Sequence, residues 1–135
     1  MRHSHTRSVV ELRANGRCEY CYALQITCGY RFHVDDIKPK IKSGTEDETN
    51  LALACATCNL AKSDRNSGFD PSTGNVEILF NPRQHSWQDH FHWENDRQTI
   101  FGVTGVGRAT VLTLDLNSEF RLKSRLYWIE IGLLP

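Results

Sequence analysis

The 135 residues carry 16 basic and 16 acidic side chains, so the net charge is zero, and 39% are hydrophobic and 10% aromatic. One core can be filled at that size, which excludes a disordered chain and a passive polycationic coat for nucleic acid. No apolar run approaches the about 18 residues of a membrane span, and residues 1–7 lack a secretory leader's apolar stretch, so a cytoplasmic setting without membrane contact is expected.

Residues 4–15 read as a helix with Val9, Val10 and Leu12 on an apolar face and Gly16 as its stop. Residues 17–22 form a metal-knuckle turn. Residues 30–37 alternate as a strand, with Tyr30, Phe32 and Val34 on one face and Arg31, His33 and Asp35 on the other, and Pro39 ends it. A polar loop follows over 40–49. Residues 50–55 run extended into a second knuckle, and a helix is expected from Asn59, an acceptable cap. Ser67-Gly68 and residues 70–74 read as loops, 76–80 and 99–104 as short strands. Residues 81–97 are rich in His and Trp. Residues 108–117 fit either a strand or a helix. Ser118 caps a last helix with Leu122, Leu126 and Ile129 on one face and Gly132 at its end.

Charge is unevenly placed. Residues 1–42 hold eight basic residues (Arg2, Arg7, Arg13, Arg17, Arg31, Lys38, Lys40 and Lys42) against Glu11, Glu19, Asp35 and Asp36, which allows a local basic face. Four of the five cysteines form two Cys-x-x-Cys pairs, Cys18/Cys21 and Cys55/Cys58, with Cys28 left over as a small buried apolar residue and not a ligand. Two such turns complete a tetrahedral thiolate shell with no open position, a structural Zn²⁺ site. Thirty-three residues lie between Cys21 and Cys55, so the ion would clamp the ends of the whole intervening motif. A redox pair is the alternative, disfavoured because neither pair opens a βαβ unit.

Inside and just beyond the clamp stand Phe32-His-Val-Asp-Asp-Ile-Lys-Pro39, Ser43-Gly44, Asn50-Leu-Ala-Leu and Cys58-Asn-Leu-Ala-Lys-Ser-Asp64. In this order they resemble the zinc-bearing, four-cysteine branch of the HNH endonuclease family. That family shows Cys-x-x-Cys, a strand ending in Asp/Glu-His-Ile-x-Pro, a Gly loop, Asn-Leu-x-Leu and Cys-x-x-Cys-Asn-x-x-Lys. The segments Leu79–Arg83, Trp87, His90-Phe91, Gly102–Thr104, Gly107–Thr110 and Leu116-Asn117 resemble a C-terminal extension of one bacterial subgroup.

The resemblance implies an α+β fold: a ββα-metal (treble-clef-like) core with zinc knuckles over residues 1–75, and a small mixed extension over 76–135 packed on it. It implies a nucleic-acid partner, DNA being expected, and metal-dependent phosphodiester hydrolysis. By position Asp35 and Asn59 correspond to ligands of a second divalent ion, Mg²⁺ or Mn²⁺, and Asn50 to the residue that orients the general base. Lys38, Lys40 and Lys62 are placed to meet phosphates, with support of the helix as the other reading for Lys62. The base itself corresponds to Asp36, where the family has histidine.

A carboxylate is a weaker base near pH 7 than a neutral imidazole, and it adds charge beside Asp35 and an anionic phosphate. Three readings follow. The chain is a nuclease with weakened or lost cleavage; or Asp36 or nearby His33 serves as base; or it is a non-catalytic zinc-stabilised binding module. His85, His90 and His92 with Trp87 and Trp93 read as a half-buried aromatic segment docking the extension, the alternative being a second metal site or a nucleic-acid stacking surface, disfavoured because the 85/90/92 spacing is no standard ligand pattern. Gly102, Gly105 and Gly107 read as turn and helix-start chemistry, since the P-loop Lys-Ser/Thr is missing.

Overall fold

The protein is described over residues 4–133 by a computed structural model. Arg2 of the N-terminal basic set lies outside the described residues.

Helix α1 (Ser4–Arg13) ends where Asn15 and Gly16 take φ of 54° and 67°. Val10 is its buried residue, whereas Leu12 is 78% exposed. Positions two apart sit about 200° round a helix, so Val10 and Leu12 cannot share the expected face. Arg13 compensates for the narrow seat by donating to the carbonyls of Glu48 (3.0 Å) and Leu51 (2.7 Å). The first knuckle closes through Cys18 N–H to Ala23 C=O and Tyr22 N–H to Cys18 C=O, both 2.9 Å, and a one-turn helix α2 (Gln25–Cys28) follows.

Strand β1 (His33–Asp36) pairs antiparallel with β2 (Leu51–Ala54), His33 opposite Ala54 and Asp36 opposite Leu51. The strand is shorter than the 30–37 expected, and burial does not follow charge along it, because Asp35 is buried while His33 is exposed. All four residues of β2 are buried, so this strand is the floor of the core. Helix α3 (Ala56–Lys62) packs on β1 and completes a ββα unit. It begins three residues before the expected Asn59, because the Cys55 sulfur accepts the Cys58 N–H (3.4 Å) and acts as the cap. Asn59 therefore sits inside the helix.

The remainder is mixed. Strand β3 (Ser67–Phe69), where a loop was expected, pairs with β4 (Val76–Ile78), so this hairpin straddles residue 75. Helix α4 (Trp87–His90) leads into β5 (Phe91–Trp93), which pairs with β6 (Ile100–Gly102). Helix α5 (Gly105–Thr113) resolves the ambiguous 108–117 stretch, with the Thr104 hydroxyl accepting the Gly107 N–H (3.0 Å) at its start. Gly107 is required there: a Cβ would lie 2.1 Å from the His90 carbonyl oxygen.

Helix α6 (Glu119–Glu130) keeps part of its expected face: Leu122 and Ile129 are half-buried beside the buried Arg125, whereas Leu126 (41%) is exposed, as are Phe120 (80%) and Tyr127 (67%). One core runs through the molecule, joining Val10, Phe32 and Leu51–Ala54 to Leu79, Phe80, Trp87, Phe91, Ile100, Leu114 and Leu116. The architecture is α+β, a ββα core with two cysteine knuckles and a mixed extension. No helix among the described residues is long and apolar enough to cross a membrane.

Candidate functional site

The two knuckles bring Cys18, Cys21, Cys55 and Cys58 together, all sulfurs lying within 4.8 Å of one another and all four residues buried. Cys21 Sγ and Cys55 Sγ are 3.7 Å apart. Burial pushes the Cys18 and Cys58 thiols up, while hydrogen bonds with its neighbours pull Cys21 down. A buried set of four sulfurs cannot all ionise against one another without a cation. The donor set therefore fits a soft-ligand, four-coordinate ion such as Zn²⁺. Cys28 is half-buried rather than buried, and it stands outside the group of four sulfurs.

Asp35 projects from β1 into the interior. Its Oδ2 accepts from the Tyr20 hydroxyl (2.9 Å) and faces Lys62 Nζ at 3.1 Å. Lys62 also donates to the Asp36 carbonyl (2.9 Å). The side chains of Lys62 and Asp35 are 1% and 5% exposed. Burial raises the Asp35 carboxyl above its ordinary value, against the pull of Lys62 and Tyr20. Lys62 thus lies under the site, and its expected contact with nucleic-acid phosphates is corrected: a side chain 1% exposed offers no charge to a strand. Tyr20, within the first knuckle, had no signal in the sequence beyond its place between two cysteines.

Asp35, Asp36 and Asn59 line one cavity of about 380 Å³ together with Pro39, Lys40, Ser63 and Asp64. Against about 30 Å³ per water, that holds a hydrated ion and a phosphate. Its donors are hard oxygens, which fit Mg²⁺ or Mn²⁺ rather than zinc. His33 is exposed on β1 and does not line this cavity, which removes the geometric ground for it as a base. Lys40 is on the rim and pairs with Glu46 at 3.1 Å. Lys38 faces a different cleft of about 360 Å³, shared with Asn66, Asn81 and Gln84.

Asn50 acts on the loop. Its side-chain oxygen accepts the Lys38 N–H (2.8 Å), and its amide donates to the carbonyls of Lys38 (2.9 Å) and Thr45 (2.8 Å). These bonds fix the backbone two residues beyond Asp36.

The extension braces the knuckles. The Glu19 side chain accepts the Leu53 N–H (2.9 Å) and forms a very close ion pair with Arg83. The Trp87 indole donates to the Tyr20 carbonyl (3.1 Å), and its ring meets Tyr22, Phe91 and Trp93 at centroid distances of 4.9, 5.0 and 5.6 Å. His85 accepts the Asn81 N–H, and His90 shares a hydrogen bond with Thr104. The aromatic segment is a packing device, as its composition suggested. Arg121, unremarked in the sequence, donates to Cys58 Sγ at 3.0 Å.

Residues 18–65 match the family described as HNH endonuclease. No curated protein and no solved structure matches the chain.

Proposed function

From the premise that residues 18–65 form an HNH endonuclease domain of the four-cysteine type, we propose that the chain is a metal-dependent nucleic-acid endonuclease acting on DNA, with hydrolysis weakened at its proton-transfer step. The observation that carries this reading is the single cavity lined by Asp35, Asp36 and Asn59. Asp35 and Asn59 would hold a hard divalent ion, which when bound would polarise the scissile phosphate and stabilise the leaving oxygen.

Each surrounding residue then has a part. The Tyr20 hydroxyl and the Lys62 ammonium fix the Asp35 carboxylate in one rotamer. Asn50 holds the loop that carries Lys38 and Lys40, whose charges meet the strand's phosphates. Asp36, facing the same cavity, takes a proton from the attacking water in place of a histidine. That substitution of the base is where the rate is lost, by about 10²–10⁴. The four-cysteine zinc site takes no part in the reaction; it ties β2 and α3 to the first knuckle.

Asp36→His tests the reading by nicking of a supercoiled plasmid with Mg²⁺ or Mn²⁺. We expect the variant to nick well above wild type. Equal cleavage by both proteins would make Asp36 a competent base. The buried Lys62–Asp35 pair favours a second reading, a zinc-stabilised binding module, because Asp35 already has a cation beside it. DNA binding without cleavage by either protein would establish that reading.

A further inference from the structure

Helix α6 is seated by its cations. Along it Phe120, Tyr127 and Ile131 at its end are 80%, 67% and 68% exposed, while Arg125 is 2% exposed. Arg121 and Arg125 are one turn apart and share a face. That face covers the cysteine cluster: Arg121, Arg125, Cys21 and Cys55 line one cavity. The Arg121 fork has three bonds. One Nη donates to Cys58 Sγ (3.0 Å); the other donates to the carbonyls of Leu114 (2.9 Å) and Asp115 (3.2 Å) at the end of α5. Arg125 donates to the carbonyls of Gln98 (2.8 Å) and Leu116 and lies over the Trp93 ring.

Four thiolates around one Zn²⁺ leave a charge of about −2. In a buried site that charge needs hydrogen-bond donors and cations close by. We propose that Arg121 is an outer-sphere partner of the zinc centre, bonding the Cys58 sulfur and, with Arg125 behind it, balancing the thiolate charge, so that the C-terminal helix docks on the metal site. The inference rests on the zinc reading. Its consequence is that metal affinity depends on a residue 63 positions beyond the last cysteine, outside the matched family segment.

The test is zinc affinity of the full chain, measured by competition with a chromophoric chelator. Wild type should hold one Zn²⁺ per chain; if it holds none, the zinc reading itself fails. Given a zinc-bound wild type, Arg121→Gln should bind Zn²⁺ about 10–100-fold more weakly. Arg121→Lys, which keeps the charge and loses the fork, should lie between. Lys123→Ala removes an exposed cation of the same helix and should leave affinity unchanged. If Arg121→Gln does not fold, Arg121→Lys decides: weaker binding supports the proposal and wild-type affinity overturns it. Wild-type affinity in both Arg121 variants overturns it as well, as does an equal loss in Lys123→Ala.

Discussion

Lys62→Met removes the ammonium from beneath the site and leaves Asp35 buried with the Tyr20 hydroxyl as its remaining donor of the two. With side chains 1% and 5% exposed, solvent does little to screen the pair, so the surface-bridge figure of under about 1 kcal/mol does not apply. Breaking a buried pair from one side costs about 3–5 kcal/mol, and the lost bond to the Asp36 carbonyl falls within that. For a domain of this size the fall in Tm would be roughly 10–20 °C.

The loss should depend on pH with a definite sign. Burial already holds the Asp35 carboxyl above its ordinary value of 3.8. A raised folded-state pKa contributes stability that is present below the unfolded value and lost as pH rises through the folded one. Without Lys62 the raising is greater, so the deficit of Lys62→Met should be smaller near pH 6, where the thiolates still hold Zn²⁺, than at pH 8. Urea unfolding of zinc-loaded protein at those two pH values measures it, with Asp35→Leu/Lys62→Met as the companion that removes both charges and should be milder. A deficit under about 1 kcal/mol at pH 8, or one equal at both pH values, would refute the account of Lys62 as a buried counter-charge.

Two further outcomes follow from the same geometry. Prolonged chelation should abolish cooperative unfolding and helical circular dichroism signal together, because the four sulfurs join the first knuckle to α3; a fully folded metal-free chain would contradict the zinc assignment. Asp70 is enclosed, and the Arg108 guanidinium, with both contacts at 3.0 Å, draws its carboxyl down to about 2. A depressed pKa gives stability present above the unfolded value and lost as pH falls through about 2, so Asp70→Asn should lower the Tm of zinc-loaded protein equally at pH 6 and pH 8, where that contribution is complete.

What could be read from the sequence follows from how local its cause is. The knuckles were legible because two Cys-x-x-Cys pairs have few other uses, β1 because apolar and polar residues alternate over 30–37, and β2 because its residues are apolar throughout. The start of α3 was misplaced because a thiol, not Asn59, caps it. Strands β3 and β5 were missed because they lack the β-branched apolar residues that mark β4 and β6: Ser67-Gly68 reads as a turn until β4 pairs with it, and Phe91-His-Trp93 sits in a His- and Trp-rich stretch. The burial of Lys62 was hidden because a lysine at the end of a helix ordinarily reads as a solvated side chain, and its partner Asp35 lies 27 positions earlier. The face of α6 was read only in part: Leu122 and Ile129 lie on the seated side, but hydrophobic spacing adds the exposed Leu126 and passes over Arg121 and Arg125, whose partners include a sulfur cluster some sixty residues earlier.

The Arg121–Cys58 contact also bears on how the chain is made. At about 5–20 residues per second, the 63 residues from Cys58 to Arg121 take roughly 3–13 s to be synthesised. Through that interval on the ribosome all four thiols have been translated while the helix that shields them has not.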